Sequence, residues 1–441
     1  MKIAFIGGGS VQWTARLVID MVGNKTLADA NLVLHDIDAD ALDLVTRACQ
    51  RVNKELDGTL HITSDLDRTE TLRNADFVIL CVAIGGLQAM GNDLAIPEKY
   101  GIYQSVGDTV GPGGLARGLR HIPFAVQIAR EMEALCPNAW MLNLTNPMTT
   151  ICRGVTRATS IRTIGLCHEV DIFRRRHLAP LFDVPQEAIT LNVAGINHLP
   201  IILEFTVDGK HGIPLLQDWL EKHDVFEFVD QHASGVEDVF EDRLCVKLAL
   251  FQKLGVLFGS GDRHIAEFFP GFLTDVNHRG GRYGVMLTTI EQRKELTRQR
   301  RVRHEQFVEG GDEDLSPTDE QMASVMAALS GGSPGQFIVN IPNTGQIDNL
   351  SREATVECMA HIDRLGVRPL AVGNLPYPAF AVIAPHAARQ ELIVEAALSG
   401  ERQPALAALS TDPLVPDPTI VEPMLDELLA ANEPFVANDF R

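Results

Sequence analysis

The chain has 441 residues, with 38 Lys+Arg against 58 Asp+Glu and a formal net charge of −20. That acidic balance argues against nucleic acid or an anionic membrane as the main partner, because either polyanion would repel it. Apolar content of 45% and charged content of 22% fit a soluble globular protein with a sizeable core and about two or three domains.

Lys2 to Ile6 is mostly apolar and predicts a strand buried on both faces. Gly7-Gly-Gly-Ser10 follows, then a helical pattern with Trp13, Leu17, Val18 and Met21, and then a second strand, Leu32-Val-Leu-His-Asp36. Strand, glycine turn, helix, strand and acid is the arrangement of a dinucleotide site. Gly7, Gly9 and Ser10 form its turn, where the backbone can approach a pyrophosphate at a helix N-terminus. Asp36 can accept hydrogen bonds from an adenosine ribose and would repel a 2′-phosphate, so NAD is favoured over NADP. The third glycine position holds Gln12, which leaves the fingerprint incomplete, and Asp38 is expected to cap a helix beginning near Ala39.

Asp76 to Val82 predicts another buried strand, residues 115–135 a helix, and Trp140 to Thr145 a strand running into Asn146-Pro147. Strands alternating with helices predict a Rossmann-like, doubly wound parallel sheet over residues 1–193. Gly101 to Gly114 is expected to be a loop throughout, and Asp108 within it suits a substrate loop at the sheet edge. Thr163-Ile-Gly-Leu-Cys-His-Glu-Val170 is an apolar run that ends in a thiol, an imidazole and a carboxylate. The carboxyl end of a parallel strand is where ligands bind. Cys167 is there either as a small packed hydrophobe or as a thiolate for a divalent metal. His168 is a ligand or an acid/base group, and Ala194-Gly-Ile-Asn-His-Leu199 adds His198.

After about residue 195 the pattern changes. Pro200 to Val207 predicts an antiparallel-type strand, helical stretches fall around 214–255 and 286–308, and Gly310 to Pro317 is an acidic loop. Strands at Gln336–Ile341 and Thr355–Met359 precede closing helices, giving a second, mixed α/β domain over 194–441. The seven cysteines are scattered without a C-x-x-C pair, which points to a reducing compartment. No signal peptide or spanning run of ~20 apolar residues is visible, so a cytoplasmic location is expected.

Ile6-Gly-Gly-Gly-Ser10, Asp36-Ile-Asp38, Asp108-Thr-Val-Gly-Pro-Gly-Gly114, Asn143-Leu-Thr-Asn-Pro147, Gly165-Leu-Cys-His-Glu-Val170, Gly195-Ile-Asn-His198 and Ile338-Val-Asn-Ile-Pro-Asn343 span nearly the whole chain. In this order they resemble glycoside hydrolase family 4. The resemblance implies a nucleotide-binding domain joined to an α/β domain of the lactate/malate dehydrogenase C-terminal type. It also implies NAD, a divalent metal (usually manganese), and a homodimer or homotetramer. It implies a redox route in place of the two carboxylates of other glycosidases. Hydride leaves the third carbon of the sugar for NAD, and a base takes the proton from the second. The glycosidic oxygen is eliminated, water adds at the anomeric carbon, and the hydride returns. By motif the metal ligands fall on Cys167 and His198 and the acid on His168, while Asp108 and Asn146 match positions around the sugar or metal. The base falls within Gly259 to Pro270, where Asp262 is the candidate and a helix N-cap its plainer role.

Cys167-His-Glu-Val170, with Gly101 to Asp108 and Gly261 to Glu267, is most similar to the α-galacturonidase branch of that family. A galacturonide carries a carboxylate at its sixth carbon. Arg263 suits it by two-pronged, charge-assisted hydrogen bonding, and His264 offers a second donor. Pairing of Arg263 with Glu267 one helical turn on is the competing role. An α-galactosidase or α-glucosidase of the same family, a metal-free 2-hydroxyacid dehydrogenase and a nucleotide-binding sensor are the other readings.

Overall fold

Each face of the first strand feeds a different core. In the computed structural model, which describes residues 1–227, 240, 242–318, 320–436 and 440, β1 (Lys2–Ile6) buries Ile3 and Phe5 with Leu17 and Val18 on one side. It buries Ala4 and Ile6 with Leu115 and Ile122 on the other. A strand covered on both faces has no polar alternation, which is why it reads as one apolar run. β2 (Asn31–His35), β3 (His61–Ser64), β4 (Phe77–Leu80), β5 (Trp140–Asn143) and β6 (Arg162–Gly165) join it in the parallel order β3-β2-β1-β4-β5-β6. The helices α1 (Thr14–Val22), α2 (Ala39–Glu55), α3 (Arg68–Leu72), α4 (Gly86–Lys99), α5 (Gly111–Leu135) and α6 (Met148–Ala158) connect these strands. Asp38 caps α2 as expected, its Oδ1 accepting from the amides of Asp40 at 3.1 Å and Ala41 at 3.0 Å.

The sheet does not stop at β6. A single pair, Asn340 with Gly165, joins it to an antiparallel half. This half is built from β7 (Ile189–Gly195), β8 (Ile201–Val207), β9 (Lys210–His211), β10 (Leu257–Phe258), β11 (Gly335–Pro342), β12 (Thr355–Asp363) and β13 (Gly366–Pro369). From β6 the order is β11, β12, β7, β8, β10, with β13 on β12 and β9 on β8. The chain then returns to its first half. Helix Tyr377–Ser399 packs on α5 and α6, and Ile393 and Val394 share a core with Ile122, Val126, Leu425 and Leu428.

One expectation needs correction. Gly101 to Gly114 is a loop only as far as Val110, and Gly111 to Gly114 form the first turn of α5. Pro112 fits a first turn, which has no partner for its missing amide hydrogen. Gly114 is required by close approach, since a Cβ there would lie 2.4 Å from the Thr109 carbonyl carbon. The helical stretch expected over 214–255 appears as Gly212–Lys222 and Cys245–Leu254, while its residues 228–239 and 241 lie outside those described. All seven cysteines are free, and among the described residues no helix is long and apolar enough to cross a membrane.

His386, 3% exposed in helix Tyr377–Ser399, places Nε2 3.1 Å from the Phe268 carbonyl oxygen. Burial, reinforced by Arg389, pushes its pKa from 6.5 down to about 3. Between those values the unfolded chain binds a proton that the folded chain does not. Stability therefore falls as pH drops through this window, by up to about 1.4 kcal/mol per pH unit. His386→Gln keeps an N–H for Phe268 and is expected to shrink the loss of stability between about pH 7 and about pH 4.5. Urea midpoints measured at both pH values check this, and an unchanged difference would refute it.

Candidate active site

The carboxyl edge of the parallel strands carries a tight backbone turn. Gly7 has φ +92°, and a Cβ on it would stand 1.9 Å from the Cys81 carbonyl oxygen, so only glycine fits. The Gly7 and Gly8 amides both donate to the His35 carbonyl at 2.9 and 2.8 Å. Asp36 accepts from Gly9 N at 2.9 Å through Oδ2 and from Asp38 N at 3.1 Å through Oδ1. Its carboxylate thus fixes the turn while each oxygen has further acceptor capacity. Ser10 N closes on Gly7 O at 3.2 Å, and α1 begins only at Thr14, with no side-chain cap on its first amides. An open helix start beside a glycine turn suits a phosphate group. Gln12, in place of the third glycine, accepts from Arg300 Nη1 at 2.9 Å.

On the same edge, four of the residues singled out in the sequence converge. Asp108 comes from the loop before α5, Asn146 from the end of β5, His198 from the turn after β7, and His264 from the short helix Asp262–Ile265. Ligand atoms of Asp108, His198 and His264 all lie within 4.8 Å of one another, and the two imidazole rings stand 3.6 Å apart. Thr109 Oγ1 donates to Asp108 Oδ1 at 2.7 Å and lies 2.8 Å from His198 Nδ1. Asn146 Nδ2 donates to Asp108 Oδ2 at 3.1 Å, and Asn146 Oδ1 is buried with no hydrogen-bond partner among the described residues.

Burial alone raises the Asp108 carboxyl, but the imidazoles of His198 and His264 and the Arg117 guanidinium outweigh it and hold it well below the usual carboxylate range. Burial, with His264 adding to it, pushes His198 down to about 3, so its imidazole is neutral and keeps a lone pair. One anionic oxygen and two imidazole nitrogens, with an amide oxygen beside them, form a mixed oxygen–nitrogen donor set that suits a first-row divalent cation such as manganese.

Cys167 is not one of those three donors. It is 8% exposed and packs with Met148 and Cys152. Burial raises its thiol well above the ordinary range, and Glu357 and Glu169 push the same way, so only a cation beside it would draw out the thiolate. His168 stands on the far side of Glu169. Glu169 Oε1 is 3.8 Å from His168 Nε2 and 3.9 Å from His264 Nε2, and its Oε2 accepts from Gly261 N at 2.8 Å. His168 Nδ1 lies 2.6 Å from Glu320 Oε1. Glu169 was visible in the sequence as the carboxylate following the histidine. Glu320 follows the acidic loop and carries no local signal.

Asp262 caps a helix other than its own. Its carboxylate, 2% exposed, accepts from the amides of Val246 at 2.8 Å and Lys247 at 3.0 Å, at the start of helix Cys245–Leu254. Beside it the fully buried Lys247 ammonium lies 3.6 Å over the Phe173 ring and 3.9 Å from Asp242 Oδ2; sequence reasoning missed this lysine. Arg263 donates from Nη2 to the Ser105 carbonyl at 2.7 Å. Among the described residues it forms no ion pair with Glu267, whose carboxylate accepts from Val106 N at 2.6 Å and Gly107 N at 2.9 Å.

The strand order β3-β2-β1-β4-β5-β6, with a glycine turn and a partly buried carboxylate–imidazole cluster on one edge, defines a dinucleotide-binding α/β enzyme. More narrowly, the chain belongs to family 4 of the glycosyl hydrolases. Residues 2–178 match "Family 4 glycosyl hydrolase" and residues 193–415 match "Family 4 glycosyl hydrolase C-terminal domain". The chain is 33% identical to the alpha-galacturonidase of Thermoanaerobacter italicus over 426 residues, covering 94% of this chain and 92% of that one. The crystal structure of lplD from Bacillus subtilis superposes with a TM-score of 0.86 at 31% identity, covering 97% and 99% of the two chains. A 6-phospho-beta glucosidase from Thermotoga maritima, solved with manganese, NAD+ and glucose-6-phosphate, has the same fold. Its TM-score is 0.81 at 23% identity over 100% of both chains.

Proposed function

We propose that this chain is an α-galacturonidase that cleaves small α-galacturonides with NAD and manganese, in the cytoplasm, as a homodimer or homotetramer. The observation that carries the reading is the Asp108–His198–His264 cluster on the same sheet edge as the Gly7–Ser10 turn. The name of the Thermoanaerobacter italicus relative supports the sugar, and the ligands of the Thermotoga maritima structure support the two cofactors. When bound, NAD supplies a reversible hydride acceptor and the metal a Lewis acid.

In this reading Gly7, Gly9 and Ser10, with the open start of α1, receive the pyrophosphate, and Asp36 receives the ribose hydroxyls. His198, Asp108 and His264 would hold the cation, and Cys167 would add a thiolate to it. The spare amide oxygen of Asn146 accepts from a sugar hydroxyl. His168, steadied at Nδ1 by Glu320, donates the proton to the leaving oxygen, and Asp262, held by two amides, is the base.

Turnover of 4-nitrophenyl α-galacturonide and of the neutral α-galactoside, with NAD and manganese in deuterated water, tests both parts. The galacturonide is expected to be cleaved faster, and the released sugar to carry deuterium at its second carbon. Preference for the neutral sugar would overturn the substrate, and product without deuterium there would overturn the redox route. Cys167→Ser is expected to fold and still bind NAD but to lose manganese-dependent turnover, because a neutral hydroxyl replaces a thiolate poorly. Turnover within a few-fold of the parent would remove Cys167 from the ligand set.

A further inference from the structure

One lateral row of the sheet crosses four strands in register. It runs from Gly165 at the end of β6, through Asn340 in β11 and Glu357 in β12, to Gly195 at the end of β7. Residues paired in such a row share one face of the sheet. Each end of the row lies just before a residue of the cation site. Cys167 follows Gly165 by two positions, and His198 follows Gly195 by three. The strands meet closely because residue 165 has no side chain: a Cβ there would stand 2.9 Å from Asn340 Cβ.

Asn340 and Glu357 are 1% exposed or less, and so is Asn197, the neighbour of His198. Asn197 Nδ2 donates to Glu357 Oε2 at 3.2 Å, and its backbone N–H donates to Thr149 Oγ1 at 3.3 Å. Burial dominates the Cys167 thiol, but hydrogen bonding from the Asn197 side chain favours its thiolate. One side-chain amide therefore links Glu357 to the Cys167 sulfur and, through the chain, to His198. Burial pushes the Glu357 carboxyl up to about 8, while Asn197, Asn340 and the His198 backbone amide pull the other way. Among the described residues, Glu357 Oε1, Asn197 Oδ1 and Asn340 Oδ1 are buried without a hydrogen-bond partner. Such atoms cost stability, so apolar side chains at 340 and 357 would serve the fold alone better.

We propose that Glu357 is a positioning residue of the cation site, which holds Asn197 so that its amide is aimed at the Cys167 sulfur and the turn carrying His198 is fixed. The turn needs such a hold, because His198 is in the left-handed region of backbone conformation. The proposal rests on the reading above in which Cys167 and His198 hold the cation. Cobalt(II) supplied in place of manganese reports the sulfur directly, through a thiolate-to-metal charge-transfer band, with no turnover needed. The parent is expected to show the band and Glu357→Leu to lose most of it. Manganese affinity, followed by paramagnetic resonance, should weaken about 10- to 100-fold in that variant while NAD affinity is unchanged. Glu357→Gln keeps an acceptor for the Asn197 amide and should recover most of both.

A parent without the band overturns Cys167 as a ligand, and this proposal with it. A band in the parent that Glu357→Leu leaves intact, at parent-level manganese affinity, removes only the positioning role. An equal loss of NAD affinity marks a purely structural residue and overturns the proposal, as does a glutamine variant no better than the leucine one. If Glu357→Leu fails to fold, Asn197→Ala carries the test. It is expected to lose the band and weaken manganese about tenfold or more, and an intact band overturns the proposal.

Discussion

On the proposal that His198 holds the cation, His198→Asn is expected to lower glycoside turnover by more than about 100-fold at saturating NAD, because changes only to the partners of metal ligands already act at 10- to 100-fold. Asparagine is the appropriate replacement. Residue 198 has φ +64°, a left-handed conformation that Asn tolerates and that would strain most other side chains. The variant keeps a short polar group near Thr109 and loses the farther ring nitrogen. Dinucleotide binding should be unaffected, since the glycine turn belongs to β1 and α1 while His198 follows β7. Titrating manganese at fixed NAD, with NAD affinity measured separately by calorimetry, divides the two effects. Parent-level turnover at ordinary manganese would remove His198 from the cation site.

The second large effect is on stability. Arg120 and Asp93 are 1% and 0% exposed, and the guanidinium grips the carboxylate with two bonds, 2.8 Å to Oδ1 and 2.6 Å to Oδ2. Burial raises the Asp93 carboxyl, and Arg120 is what opposes that rise most. Arg120→Met leaves the carboxylate buried without its partner, at an expected loss of about 3–5 kcal/mol. Asp93→Leu added to it removes the stranded charge and should restore most of that loss, because a buried pair contributes little beyond what well-packed apolar groups provide. Denaturant midpoints of the three variants decide this. A single variant within about 1 kcal/mol of the parent, or a double variant no better than the single, contradicts it.

The parallel half of the fold was legible because its strands are buried on both faces and separated by helices with their own periodicity. The short β3 (His61–Ser64) and helices α3 and α4 were not read, and the start of α5 was misread. Glycines that look like a loop are there because Thr109 presses on Gly114. The antiparallel half shows less in sequence, since β9 and β10 have two residues each and the sheet crosses to it through one residue pair.

At the site, motifs identified Asp108, Asn146, His198 and His264, which the fold gathers. The pairing of Arg263 with Glu267 failed for a geometric reason. Facing at i and i+4 needs a continuous α-helix, and this one ends at Ile265 in a 3₁₀ turn over Ala266–Phe268 that swings Glu267 toward Val106 and Gly107. Glu320, which lies 2.6 Å from His168 Nδ1, was illegible, because it follows an acidic run that reads as solvated loop.

The return of helices Tyr377–Ser399 and Val421–Asn432 onto α5 bears on how the chain is made on the ribosome. At about 5–20 residues per second, α5 emerges roughly 15–60 seconds before Leu425 and Leu428, which share one core with Ile122 and Val126 in the finished fold. During that interval one face of the nascent dinucleotide half is bare and apolar, a surface that chaperones bind and that neighbouring nascent chains can stick to. Synthesis order therefore makes the earliest half of this enzyme the last to be sealed.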